Sequence, residues 1–172
     1  MESESARMSS AAQARFRIDY PNSKPRMVKV IALDDASERV VKRVAKQPWQ
    51  RANFFTSIKF EPGSGRVSGE DWSMQAWLGD LAGRTKALVE EVASADLVVM
   101  VSSAGTSAPA AAVIGEACAV RKVMTTALII GSEERSNDEL SRTLATLRPY
   151  ASTLVIANGD EYIEEMLAAL RA

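Results

Sequence analysis

Residues 97–101 read LVVMV, five apolar side chains in a row, bounded by Asp96 before them and Ser102 after them. Successive side chains on a strand point to opposite faces, so a strand with no polar position must be covered on both sides. That run therefore predicts a central strand of a sheet with helices on each face. The next eight residues agree. SSAGTSAP at 102–109 is small and hydroxyl-bearing, and Pro109 stands where a helix begins, a position that proline favours.

The rest of the chain repeats the alternation of strand and helix. Met27–Leu33 reads as the first strand, and a helix over Ala36–Lys46 carries Val40, Val41 and Val44 on its apolar face. Asp35 and Glu38 have the spacing of a capping box, and Pro48 stops the helix. Residues 52–60 read as a second strand, followed by the turn-rich EPGSGRVSG at 61–69. Met74, Trp77, Leu78, Leu81, Leu88 and Val92 fall mostly at three- and four-residue steps, which predicts a long helix over Asp71–Ser94. Gly79 and Gly83 weaken that helix by roughly 1 kcal/mol each relative to alanine. Beyond residue 96 come a small-residue helix over Pro109–Val120, a strand over Val123–Ile130 and a helix over Asn137–Leu147. A strand over Thr153–Ile156, an NGDE turn and a helix over Glu161–Leu170 close the chain. This pattern predicts an α/β protein, a three-layer α/β/α sandwich with a mostly parallel sheet of about five strands and right-handed crossovers.

Length and composition bound the rest. The 172 residues suffice for one core without disulfides or metal, and we divide them into a disordered tail at 1–25 and a single α/β domain at 26–172. The formal net charge of -1 gives no reason to expect nucleic acid as a partner, and no apolar run has the length of a membrane span. The chain has no histidine, which excludes Ser-His-Asp and Cys-His nucleophile pairs and His-ligated metal. No metal site is expected. Cys118, the lone cysteine, fits a reducing compartment, and Glu2 and Glu4 count against a mitochondrial transit peptide. A cytoplasmic location is expected.

In parallel sheets ligands bind beyond the carboxyl ends of the strands. Three loops lie there: Asp34–Ser37, Ser102–Ala108 and Gly131–Ser136. The first turn of the helix opened by Pro109 has unpaired N–H groups and a positive dipole end, which suit phosphate or carboxylate. Ser102, Ser103, Thr106 and Ser107 add donors, and Gly105 permits close approach of the backbone. The plainer reading is a turn whose Ser and Thr side chains only cap the helix. The loop is neither a Walker motif nor G-x-G-x-x-G.

The order of these pieces resembles the GTP-binding half of the FtsZ/tubulin family. ADLVVMVSS, AGTSAP and AAAVIGEACA are similar to the family's strand, GGGTGTGAAP loop and helix. KVMTTALII is similar to its next strand, and LATLRPYASTLVIANGDEYIEEML to its helix-strand unit with an IPND-type turn. The likeness covers most of residues 27–170, loosely before residue 95 and better after it. It implies a nucleotide-binding fold and a guanine nucleotide, or another phosphorylated small molecule, as ligand; the residues themselves announce no cofactor. Two departures matter. Asp34-Asp35-Ala36-Ser37 stands where the family has a Gly-rich loop, and two carboxylates there repel phosphate. The glycine-rich loop is shortened to AGTS, and the family's central helix and second domain have no counterpart, so a filament-forming GTPase is not expected.

The first functional reading is thus a small-molecule-binding protein, a diverged relative of that family. Its ligand's anionic group would sit at Ser102–Ser107 with Asp34 and Asp35 on the opposite wall, where the acids could instead select a hydroxyl- or amine-bearing ligand. The second reading is a non-catalytic regulatory or scaffold protein acting through protein partners. The third is a small enzyme using Asp34 or Asp35 as general base. An active receiver domain is disfavoured, because Ser102 and Asn158 stand where it needs Asp and Lys. Cys118 reads as a buried inert thiol, Trp77 as core, Trp49 and Trp72 as packing or pocket residues, and Arg66 as part of a loop able to hold anions. Arg121 and Lys122 read as a favourable helix end. The helix over 109–120 has Glu116 as its one charge, so its faces are buried centrally or in a homodimer.

Overall fold

A computed structural model describes residues 24–57, 77–80, 85–131, 135–157 and 160–172. The strands are β1 (Val28–Ala32), β2 (Ala52–Thr56), β3 (Trp77–Asp80), β4 (Thr85–Ala87), β5 (Leu97–Ser103), β6 (Met124–Ile130) and β7 (Thr153–Ala157). The helices are α1 (Asp35–Val44), α2 (Leu88–Ala93), α3 (Ala110–Arg121), α4 (Asn137–Leu147) and α5 (Asp160–Ala169), with a 3-10 turn at Arg148–Tyr150. The chain is an α/β protein with one seven-stranded mixed sheet, in the order β4-β3-β2-β1-β5-β6-β7. β2, β1, β5, β6 and β7 run parallel, and β3 and β4 add antiparallel strands at the β2 edge.

The apolar runs explain the centre of the sheet. All five residues of β1 and all seven of β5 are buried. Their alternate side chains feed two separate cores. Ile31, Val98, Met100, Ala127 and Ile129 join residues of α2, α3 and α4 on one face. Val28, Val30, Val99, Val101, Leu128 and Ile130 join α1 and α5 on the other, against Val41, Val44, Ile163 and Leu167. Helices on both faces are the reason no polar position interrupts residues 97–101.

Three expectations are corrected. Among the described residues the sheet has seven strands rather than about five, because residues 77–80 and 85–87 pair as β3 and β4 where the periodicity predicts a long helix over 71–94. Only Leu88–Ala93 of that span is helical among the described residues. Gly79 is part of the reason: it pairs with Thr56 across β2–β3, and a Cβ on it would lie 3.1 Å from the Thr56 methyl. A glycine that costs a helix thus lets two strand backbones close up. The third correction is small: the capping box of α1 is formed by Asp34 and Ser37, one residue upstream of the expected Asp35–Glu38 pair.

The apolar helix α3 is buried by its own domain. Ala111, Val113, Ile114, Ala117 and Cys118 are buried, and the helix packs beside α2, α4 and the 3-10 turn. Gly115 marks the tightest approach, since a Cβ there would sit 2.5 Å from the Cβ of Tyr150. Central packing therefore accounts for most of its apolar composition, while Val120 at its end is exposed. Lys122 ends it in a left-handed turn at φ 57°, donating its N–H to Ala119 and Cys118. Trp49 packs against the α1–α5 core and donates Nε1–H to the Val44 carbonyl at 2.8 Å, sealing the end of α1. Trp77 stands on β3 rather than on a helix. Most of the tail at 1–25 (residues 1–23), the 61–69 loop with Arg66, Trp72 and the centre of the 131–136 loop lie outside the described residues.

Gly115→Ala should destabilise the protein by about 1–3 kcal/mol, the range for overpacking a filled core. The check is the urea midpoint at unchanged slope. A wild-type midpoint would show that Tyr150 gives way freely.

Candidate functional site

The parallel strands reverse order once. β1 leads through α1 to β2 on one side, and the chain then crosses back to place β5 on the other side of β1. Such a switch point is where doubly wound sheets take ligands. The register pairs Ala32 with Val101, so the residues just beyond, Asp34 and Ser103, emerge side by side. Leu33 extends the pairing by donating its N–H to the Val101 carbonyl at 2.9 Å.

Asp34 is the centre of this cluster. Its Oδ1 accepts the Ser37 amide at 2.9 Å and the Ser103 hydroxyl at 2.8 Å. Its Oδ2 accepts the Ser103 amide at 2.7 Å, the Thr106 hydroxyl at 3.1 Å and the Ser102 hydroxyl at 3.2 Å. Thr106 has one hydroxyl proton and a shorter partner, the Ser103 carbonyl at 2.7 Å. The two acceptors compete for that proton, and Oδ2 gains acceptor capacity when it turns to the Ser103 carbonyl. Burial pushes the Asp34 carboxyl upward, but the amides of Ser103 and Ser37 and the hydroxyls of Ser103 and Thr106 outweigh it. The net position is below the ordinary carboxylate range. Asp34 is half-buried and forms no ion pair among the described residues. Its charge is balanced by neutral donors and by the N-terminus of α1, which it caps.

The structure therefore brings Asp34, Ser102, Ser103 and Thr106 together, with Asp34 inside the loop rather than on an opposite wall. Asp35 is exposed, as is Ser107. Gly105 has φ 83°, a left-handed turn that suits glycine, and donates its N–H to Thr143 Oγ1 at 2.9 Å. Its Cα side faces Glu139, whose Oε1 would be 3.2 Å from a Cβ at that position. Glu139 caps α4 with Ser136, and the Ser136 amide and hydroxyl hold its carboxyl below the usual range. Ala110 and Ala111, which open α3, are buried, and Pro109 supplies no side-chain cap. Ser37 and Thr143 also belong to the cluster; sequence reasoning placed Ser37 within a candidate loop without giving it a role, and missed Thr143. The signal for Ser37 is its spacing three residues after Asp34; Thr143 gives none, because its role depends on how α4 docks.

Cys118 is fully buried, and burial pushes its thiol up to about 12. No helix among the described residues is long and apolar enough to cross a membrane, and no group of three or more metal-ligating side chains is present among them.

Fold and cluster together define a doubly wound α/β protein with a carboxylate seated at its switch point. No protein-family model matches the chain, and no curated protein matches it significantly.

Asp34→Ala should cost about 2–4 kcal/mol, the loss of a helix cap plus the cost of leaving buried donors without a partner. A carboxyl held below its unfolded value stabilises the fold above that value. Wild-type stability should therefore fall as pH drops from about 4 through the lower folded value, and Asp34→Ala should lack that component. Urea melts between pH 5 and pH 2 measure both. Cys118 should react with a thiol reagent only on unfolding; modification of the native protein at neutral pH would contradict its burial.

Proposed function

We propose that this chain is a small-molecule-binding protein whose switch point recognises a hydroxyl- or amine-bearing ligand through Asp34, rather than a phosphate through the Ser102–Ser107 loop. One observation carries the reading: the Ser103 amide and the hydroxyls of Ser102, Ser103 and Thr106 already hold the protein's own carboxylate. A phosphate needs those donors and would meet Asp34 with Asp35 close by. A ligand hydroxyl or ammonium needs an acceptor instead. Asp34 Oδ2 offers one as soon as Thr106 turns its proton to the Ser103 carbonyl.

The likeness of residues 95–167 to the FtsZ/tubulin family supports a nucleoside as the ligand class to try first, within a diverged three-layer nucleotide-binding domain. Carboxylates hold ribose hydroxyls in other doubly wound folds. The general-base reading gains no support, because a carboxylate held below its ordinary range is a weaker base.

Thermal denaturation with guanosine, GDP and GTP tests this. Guanosine should raise the melting temperature more than either nucleotide, by the equivalent of about 2.7 kcal/mol at a hundred times its dissociation constant. Asp34→Asn should abolish the shift. Larger stabilisation by GTP or GDP, or none by guanosine, would overturn the proposal.

A further inference from the structure

At the opposite end of β1 stands Lys29, the one charged residue among the buried polar side chains of the described residues. It lies five residues before Asp34, about 16 Å away along the strand. Its side chain is 6% exposed, and its ammonium donates to Glu91 Oε2 at 2.9 Å and to Asn53 Oδ1 at 2.8 Å. The Phe55 ring lies 5.9 Å below it. Two of its three N–H groups are thus used by partners on α2 and β2, and the third has the aromatic face and the space beside it. An apolar pair would fill such a position without the desolvation cost of two charges.

That space is a cleft of about 580 Å³, in the range of small-ligand sites. It is bounded by residues of β1, β2 and α2 and by Asp80 of β3 and Lys86 of β4. Lys29, Lys86, Glu91 and Asp80 give it two cations and two carboxylates, and Ala45, Ala52, Phe54 and Phe55 give it apolar wall. Lys86 is exposed and forms no ion pair among the described residues.

We propose that this cleft binds a small zwitterion of the α-amino-acid class. The ligand's carboxylate takes the third N–H of Lys29 and the ammonium of Lys86. Its own ammonium takes Glu91, whose second oxygen is not used by Lys29. An apolar side chain lies at the edge of Phe55, on the face of β2 that also carries Asn53, whereas Phe54 points to the opposite face. The matched charges disfavour a ligand of one sign, and burial of Lys29 makes its contact the stronger of the two cationic ones. The site is separate from the Asp34 cluster, and neither proposal requires the other.

Titration of the full chain with L-phenylalanine, followed by amide chemical shifts, tests it. Saturable changes should appear at Asn53, Lys86 and Glu91. Lys86→Gln should weaken them severalfold and Lys29→Met at least tenfold; the pair Lys29→Met with Glu91→Leu gives the same reading in a core without an orphaned charge. Phenylpropionate and phenethylamine, each lacking one charge, should bind at least tenfold more weakly. No saturable change at these amides, equal binding by either one-charge analogue, or binding unaltered in the folded variants would each overturn the proposal.

Discussion

The carboxylate of Asp34 ties the two halves of the sheet together. β1 and β5 meet at the one reversal of strand order, and their loops leave in different directions, one to α1 and one to α3. Without a shared anchor, the Ser103 amide and three hydroxyls would end in a region too covered for ready hydration. Asp34 satisfies them, caps α1, and fixes the path of the Ser102–Thr106 loop at once. The low-lying carboxyl is the electrostatic record of that arrangement. Among the described residues no buried side-chain polar atom is left without a partner.

Much of this fold is legible in the sequence because burial on two faces leaves predominantly apolar runs. MVKVIAL, LVVMVSS and MTTALII could hardly be other than covered strands, and their helices follow from caps and prolines. β3 and β4 are not legible. Trp77, Leu78, Leu88 and Val92 keep helical spacing, and the pairing that overrides it is non-local, set by Gly79 against Thr56. The site is legible in its membership more than in its meaning. Asp34, Ser102, Ser103 and Thr106 are candidates from sequence, and Asp35, Gly105 and Ser107 group with them there. That Asp34 is the anion of the loop depends on the β1–β5 register, which no local pattern announces. Lys29 does carry a local signal, as one cation in an otherwise apolar strand, but its partners on α2 and β2 are distant in sequence.

The two ends of β1 thus differ in their electrostatics. At the carboxyl end a carboxylate is held by neutral donors, so the charge that reaches the surface is negative. At the amino end a buried ammonium is matched by Glu91 beside an open cleft. The two groups lie at different ends of the strand and share no side chain, so the two binding proposals can fail separately. The charge on Asp34 is also why a likeness to phosphate-binding loops does not by itself make this loop bind phosphate.

The central claim is that loop donors, and not solvent, hold the charge on Asp34. Carbon-detected NMR titration of its carboxyl measures this directly. The account predicts a midpoint below the ordinary aspartate value of about 3.9, moving upward when Ser103 is changed to Ala. A midpoint at or above that value, unmoved by Ser103→Ala, would contradict it.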